Sequence, residues 1–106
     1  MNTIAELNDR FRKGNMTLGQ YMMTRGVQVL TPDKLSKLFG LVQEFDQFTA
    51  DNDPYAEHDF GKVTLDGDDY FFKIDYYDPT LASHSIDPSS PNATRRILTL
   101  MRSDEY

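Results

Sequence analysis

The chain has no cysteine among its 106 residues. That excludes a disulfide scaffold, a thiolate metal site and a cysteine nucleophile together. It also has no tryptophan, so its large side chains are seven Phe and six Tyr. Each buries a large area, and a few of them can dominate a small core. No apolar run approaches a membrane span. The opening MNTIAELNDRFRK is polar and periodic and carries no apolar stretch of the kind a secretion signal needs. These absences lead us to expect a cytoplasmic protein with no membrane partner. The length allows one domain, residues 1–106, with one modest core.

Positive charge is scarce where negative charge gathers. Residues 1–43 carry six Lys/Arg against three acids, and residues 88–106 carry three Arg against two acids. Residues 44–87 carry twelve acids against two lysines, so the net charge of −6 hides a middle section at −10. Such a section repels nucleic acid and attracts cationic surfaces. The plain alternative is a solvated face that aids solubility.

Two helices are signalled. Thr3 and Glu6 have capping-box spacing, Ile4, Leu7 and Phe11 share a face, and Gly14 follows as a natural stop. The second starts at Thr31, with Pro32 and Asp33 in its first turn. Leu35, Leu38, Phe39, Val42 and Phe45 form its apolar stripe, interrupted by Gly40. Between them, Tyr21, Met23, Val27 and Val29 alternate, which favours strand over a short helix from Thr17 to Arg25.

A loop, TADNDPYAE, leads into a β-hairpin over residues 62–77 that turns at Asp66-Gly67. Tyr70, Phe72, Ile74 and Tyr76 share one face of its second strand, and Phe71, Lys73, Asp75 and Tyr77 the other. A long Pro- and Ser-rich loop over 78–92 follows. Ile97, Leu98, Leu100 and Met101 fit a helical face, so we expect a C-terminal helix over 93–103, with a strand as the alternative for the same run. The expected fold is α+β: a small antiparallel sheet centred on the hairpin and packed by two or three helices. Phe39, Val42, Phe72 and Ile74 are its expected core.

Most catalytic motifs fail on inspection. Asp59-Phe60-Gly61 matches a kinase tripeptide, but the rest of the kinase signature is missing. Asp51, Asp53 and Tyr55 hint at a calcium loop, but Ala56 stands where its glycine belongs. Lys62 and Lys73 lack the carboxylate two residues back that nuclease chemistry wants, and Ser83, His84 and Ser85 lack a nucleophile elbow. Glu57, His58, Asp59, Asp75, Asp78 and His84 are metal-ligand types without HxH or HxxxH spacing. Neighbouring strand residues face opposite ways, so one of Tyr76 and Tyr77 should be buried and the other free to anchor a partner, unless both cap edges of the core, which is the plainer reading.

The segments LNDRFR, TRGV, EFDQFTADNDPY, HDFG, FKIDYYD and LTLM with a closing Glu-Tyr resemble an uncharacterised bacterial family of about this length. It is a domain of unknown function, frequent in proteobacterial and plasmid-type sequences. Where its members commonly have Trp this chain has Phe72, and it has His84-Ser85-Ile86 where Gly-Ser commonly precedes Asp-Pro. The second difference makes His84 a poor candidate for an essential ligand. The resemblance implies a self-contained domain and no particular activity.

The leading expectation is a non-enzymatic acidic module that binds a basic protein surface, with no cofactor and no metal. A nucleic-acid-handling complex is one such surface, occupied by a mobile-element inhibitor of the anti-CRISPR, nucleic-acid-mimic type. Its expected contact residues are Asp51, Asp53, Glu57, Asp66, Asp68, Asp69, Asp75, Tyr77 and Asp78. The alternative is a small metal-dependent enzyme using His58, Asp59, Asp75 and Asp78. A third reading is an accessory subunit whose acidity is incidental.

Overall fold

A computed structural model describes residues 3–106. Helix α1 spans Thr3–Arg12. It already includes Thr3, so its N-cap position lies outside the described residues. Strand β1, Gly19–Met23, and the single turn α2, Arg25–Gln28, divide the ambiguous segment between them. The strand reading holds for Tyr21 and Met23. It fails for Val27 and Val29, which lie in and just after the turn, one buried and the other 73% exposed.

Helix α3, Pro32–Glu44, starts as its sequence asks. The Thr31 side chain accepts from the Lys34 N–H at 3.3 Å, and Pro32 takes the first turn, where its missing N–H costs nothing. Leu38 and Val42 are fully buried, and Leu35, Phe39 and Phe45 pack against them from the margin. Strands β2, Phe60–Leu65, and β3, Asp68–Tyr77, form the expected hairpin. Its turn places Asp66 at φ 53° and Gly67 at φ 82°, the left-handed pair that matches strand twist.

The C-terminal segment corrects the expectation. Residues 95–102 form strand β4, not a helix. β4 lies between β1 and β3, giving the sheet order β1-β4-β3-β2. It pairs antiparallel with β3, where Leu100 meets Phe72, and parallel with β1, where Leu98 meets Tyr21. The sheet is therefore mixed. The segment misled because both of its faces are largely apolar. Arg96, Leu98 and Leu100 point to the helices, while Ile97, Thr99 and Met101 point the other way. A central strand with apolar residues on both faces loses its period-two signature.

Phe11, Val27, Leu38 and Val42 pack on Tyr70, Phe72, Ile74, Leu98 and Leu100. The three helices thus supply one layer and cover one face of the sheet. Among the described residues no helix is long and apolar enough to cross a membrane.

Candidate functional site

Two regions hold the chemically interesting side chains. The first is a polar cluster buried where α1 meets the sheet. Asn8 is fully buried and donates to the Glu57 carbonyl at 2.9 Å and to the Tyr76 hydroxyl at 2.8 Å. Its own amide oxygen accepts from Arg96 Nε at 2.7 Å. Arg96, also fully buried, donates through Nη2 to the Pro88 carbonyl at 2.6 Å and lies over the Tyr76 ring. Its Nη1 has no hydrogen-bond partner among the described residues.

Beside it, Arg12 Nη1 pairs with Asp9 at 2.9 Å. Arg12 also donates to the Val42 and Phe45 carbonyls, each at 3.1 Å, and so caps the end of α3. Asp9 in turn meets His58 Nδ1 at 2.9 Å. The His58 ring lies flat on Phe48, with centroids 4.0 Å apart.

The segment from Asp53 to Gly61 is shaped around this cluster. The Asp53 carboxylate accepts from the Glu57 N–H at 3.0 Å and the His58 N–H at 3.2 Å. Those bonds hold Ala56 and His58 at φ 55° and 58°, which non-glycine residues seldom adopt. Asp53 is only 6% exposed, which corrects its placement among the partner-contact residues. Burial raises the carboxyls of Glu57 and Asp59 above their ordinary range, and Asp59 adds to the rise at Glu57.

Three of the four expected metal ligands, His58, Asp75 and Asp78, are engaged elsewhere. His58 faces Asp9 and Asp53; Asp75 pairs with Lys73 at 3.1 Å. The Asp78 carboxylate accepts from Thr80 and from the Ala82 N–H, closing a turn. Those bonds, led by the Thr80 hydroxyl, hold its carboxyl low. Among the described residues no three His, Asp or Glu side chains converge as ligands to a metal must.

Of the remaining acids, Asp66, Asp68 and Asp69 gather at the β2–β3 turn. Asp51 is exposed. Asp66 lies 3.5 Å from Lys34, Asp68 lies 3.5 Å from Arg102, and Asp69 accepts from the Thr64 hydroxyl at 2.7 Å.

The second region is the sheet face opposite α1, α2 and α3, which residues 103–106 cover in part. The expected split of the Tyr pair into one buried and one exposed ring is not found: both are half-buried at the edges of the core. Tyr76 turns to the polar cluster and Tyr77 to the opposite face. There Tyr77 helps line a hollow of about 460 Å³ with Gln20, Met22, Met23, Thr24, Leu81, Ile97 and Thr99. His84 stacks beside Tyr77 at 6.1 Å and bridges to it through the backbone. Met22 is 50% exposed. Sequence reasoning found Tyr77 but missed Met22, Leu81 and Ile97. The available signal was the Gln20–Met22 alternation on β1; the helical reading of β4 concealed Ile97.

An α+β domain with one sheet face free of α-helices and a polar cluster pinning its first helix is the class these features define. A family model, Protein of unknown function (DUF3768), matches residues 23–105. The chain belongs to that family. No curated protein and no solved structure matches it significantly.

Proposed function

We propose that this protein is a non-enzymatic binding module that grips a basic protein through the sheet face opposite its α-helices. The supporting observation is the hollow there, with Tyr77, Met22, Ile97 and Leu81 around it. Tyr is a favoured interface anchor, and Met adapts its shape to an incoming side chain. The −10 of residues 44–87 supplies long-range attraction for a cationic partner. The involvement of Asp9, Asp53, His58 and Asp78 in holding loops supports a role without catalysis.

A more specific form of this reading is mimicry of nucleic acid within a host nucleic-acid-handling complex. A mimic needs a continuous row of free carboxylates. Asp53 is buried, and Asp66, Asp68, Asp69 and Asp75 each have a partner within the chain. The reading we favour is therefore a basic protein segment with an apolar anchor, not imitation of a phosphate backbone.

Affinity capture from host extract with wild type, Tyr77→Ala and Phe72→Ala tests it. Tyr77→Ala should keep its circular dichroism and lose the captured partner. Phe72→Ala should lose about 3–5 kcal/mol of stability, because Phe72 is fully buried. Wild-type capture should weaken as salt rises to about 0.5 M. Capture that ignores both Tyr77→Ala and salt would rule the proposal out.

A further inference from the structure

Residues 103–106 turn away from β4 and lie across the face opposite α1, α2 and α3, on the side away from Tyr77. The Tyr106 ring meets Phe60 and Phe71 edge to face, with centroids 5.7 and 5.4 Å away. The contact is shallow, since Tyr106 remains 74% exposed. The anchor is Glu105. Its Oε1 accepts from the Thr24 hydroxyl at 2.7 Å and the Arg102 N–H at 2.9 Å, and its Oε2 accepts from the Gly26 N–H at 2.9 Å.

Three donors on one carboxylate make a definite latch, and its far side is shaped for it. A Cβ on Gly26 would fall 2.6 Å from Glu105 Oε1 and 2.5 Å from Arg102 Cδ. Glycine at that position lets the carboxylate reach the backbone. Beneath the strap runs a second hollow, of about 400 Å³, lined by Thr24, Lys73, Thr99, Met101, Glu105 and Tyr106. Thr24 and Thr99 also line the hollow at Tyr77, so the two spaces adjoin.

We infer that residues 103–106 are a releasable strap, latched by Glu105 on Thr24 and Gly26, which covers the Phe60–Phe71 half of the sheet face. Closed, the strap leaves only the Tyr77 half open. Released, it joins the two hollows into one apolar surface across the sheet. The occupant displaced is a segment of this chain, and the Tyr106 ring marks where a partner's aromatic or apolar side chain would follow. That last consequence rests on the proposed binding function; the strap itself does not.

The test uses the whole chain and no partner. Wild type, Glu105→Ala and Tyr106→Ala are compared by circular dichroism, amide exchange of Gly26, nuclear Overhauser contacts between Tyr106 and Phe71, and fluorescence of the dye 8-anilinonaphthalene-1-sulfonate. Glu105→Ala should keep its secondary structure, lose the Tyr106–Phe71 contacts, exchange the Gly26 amide faster and bind more dye. Tyr106→Ala should bind more dye with Gly26 still protected. Retained Tyr106–Phe71 contacts and Gly26 protection in Glu105→Ala would overturn the strap. Should Glu105→Ala unfold, Tyr106→Ala decides alone: unchanged dye binding overturns the inference. These outcomes are independent of partner capture, so the strap can fail while Tyr77-dependent binding stands.

Discussion

Asp59 and Glu57 carry charge where the fold disfavours it. Burial is the larger cause at both, and at Asp59 the neighbouring Asp53 and Asp75 add repulsion. A carboxyl whose folded pKa is raised binds its proton more tightly than in the unfolded chain. The folded state is therefore penalised above the raised pKa, and the penalty fades as pH falls through it toward the unfolded value of 3.8 for Asp59. Asp59→Asn removes the charge and keeps the shape. We expect it to melt higher than wild type at neutral pH, with the gain shrinking on acidification. Thermal unfolding of both proteins across that range checks this; a gain independent of pH would assign the effect to packing instead. Neither carboxyl stands out in the sequence as desolvated, because its surroundings are assembled by the fold: Glu57 meets Tyr76, and Asp75 comes near Asp59.

Helix α3 shows how far local chemistry reaches. Its cap, its first-turn proline and its stripe were all readable, and each does in the fold what its type suggests. Thr31→Ala should cost about 1 kcal/mol in denaturant unfolding, since it removes the acceptor of the Lys34 N–H. An unchanged midpoint would show that water satisfies the end of the helix equally well. The hairpin turn was equally legible, because Asp-Gly accepts two positive φ angles with little strain. Strand β4 was not. Its helix-like run of Ile97, Leu98, Leu100 and Met101 arises from apolar residues on two opposite faces, and that becomes visible only when β1 and β3 flank it.

The arrangement of layers depends on a few long-range polar contacts. Asn8 on α1 joins the 57–58 loop, β3 and β4 through Glu57, Tyr76 and Arg96. Asn8→Ala would leave Arg96 Nε without its acceptor, beside an Nη1 that already has none among the described residues. Stranding a buried donor costs about 1–3 kcal/mol, and more when it is charged. We expect a loss in that range by urea unfolding, with the slope against urea unchanged. A loss under about 0.5 kcal/mol would mean that the cluster relaxes around the gap.

The α+β class, α3, the hairpin and the opposite facing of Tyr76 and Tyr77 all follow from local rules. Caps, turn residues and short periodicities act within a few residues of one another, so a one-dimensional reading captures them. The sequence also held the members of the polar cluster, but as scattered Asn, Arg, Asp and His with no spacing in common. Their convergence, the central place of β4 and the latch of Glu105 on Thr24 depend on contacts between residues far apart in the chain, as Asn8 and Arg96 are. Such contacts exist only once the sheet order β1-β4-β3-β2 has brought the two ends of the chain together, because no local preference encodes which strand a segment will lie beside.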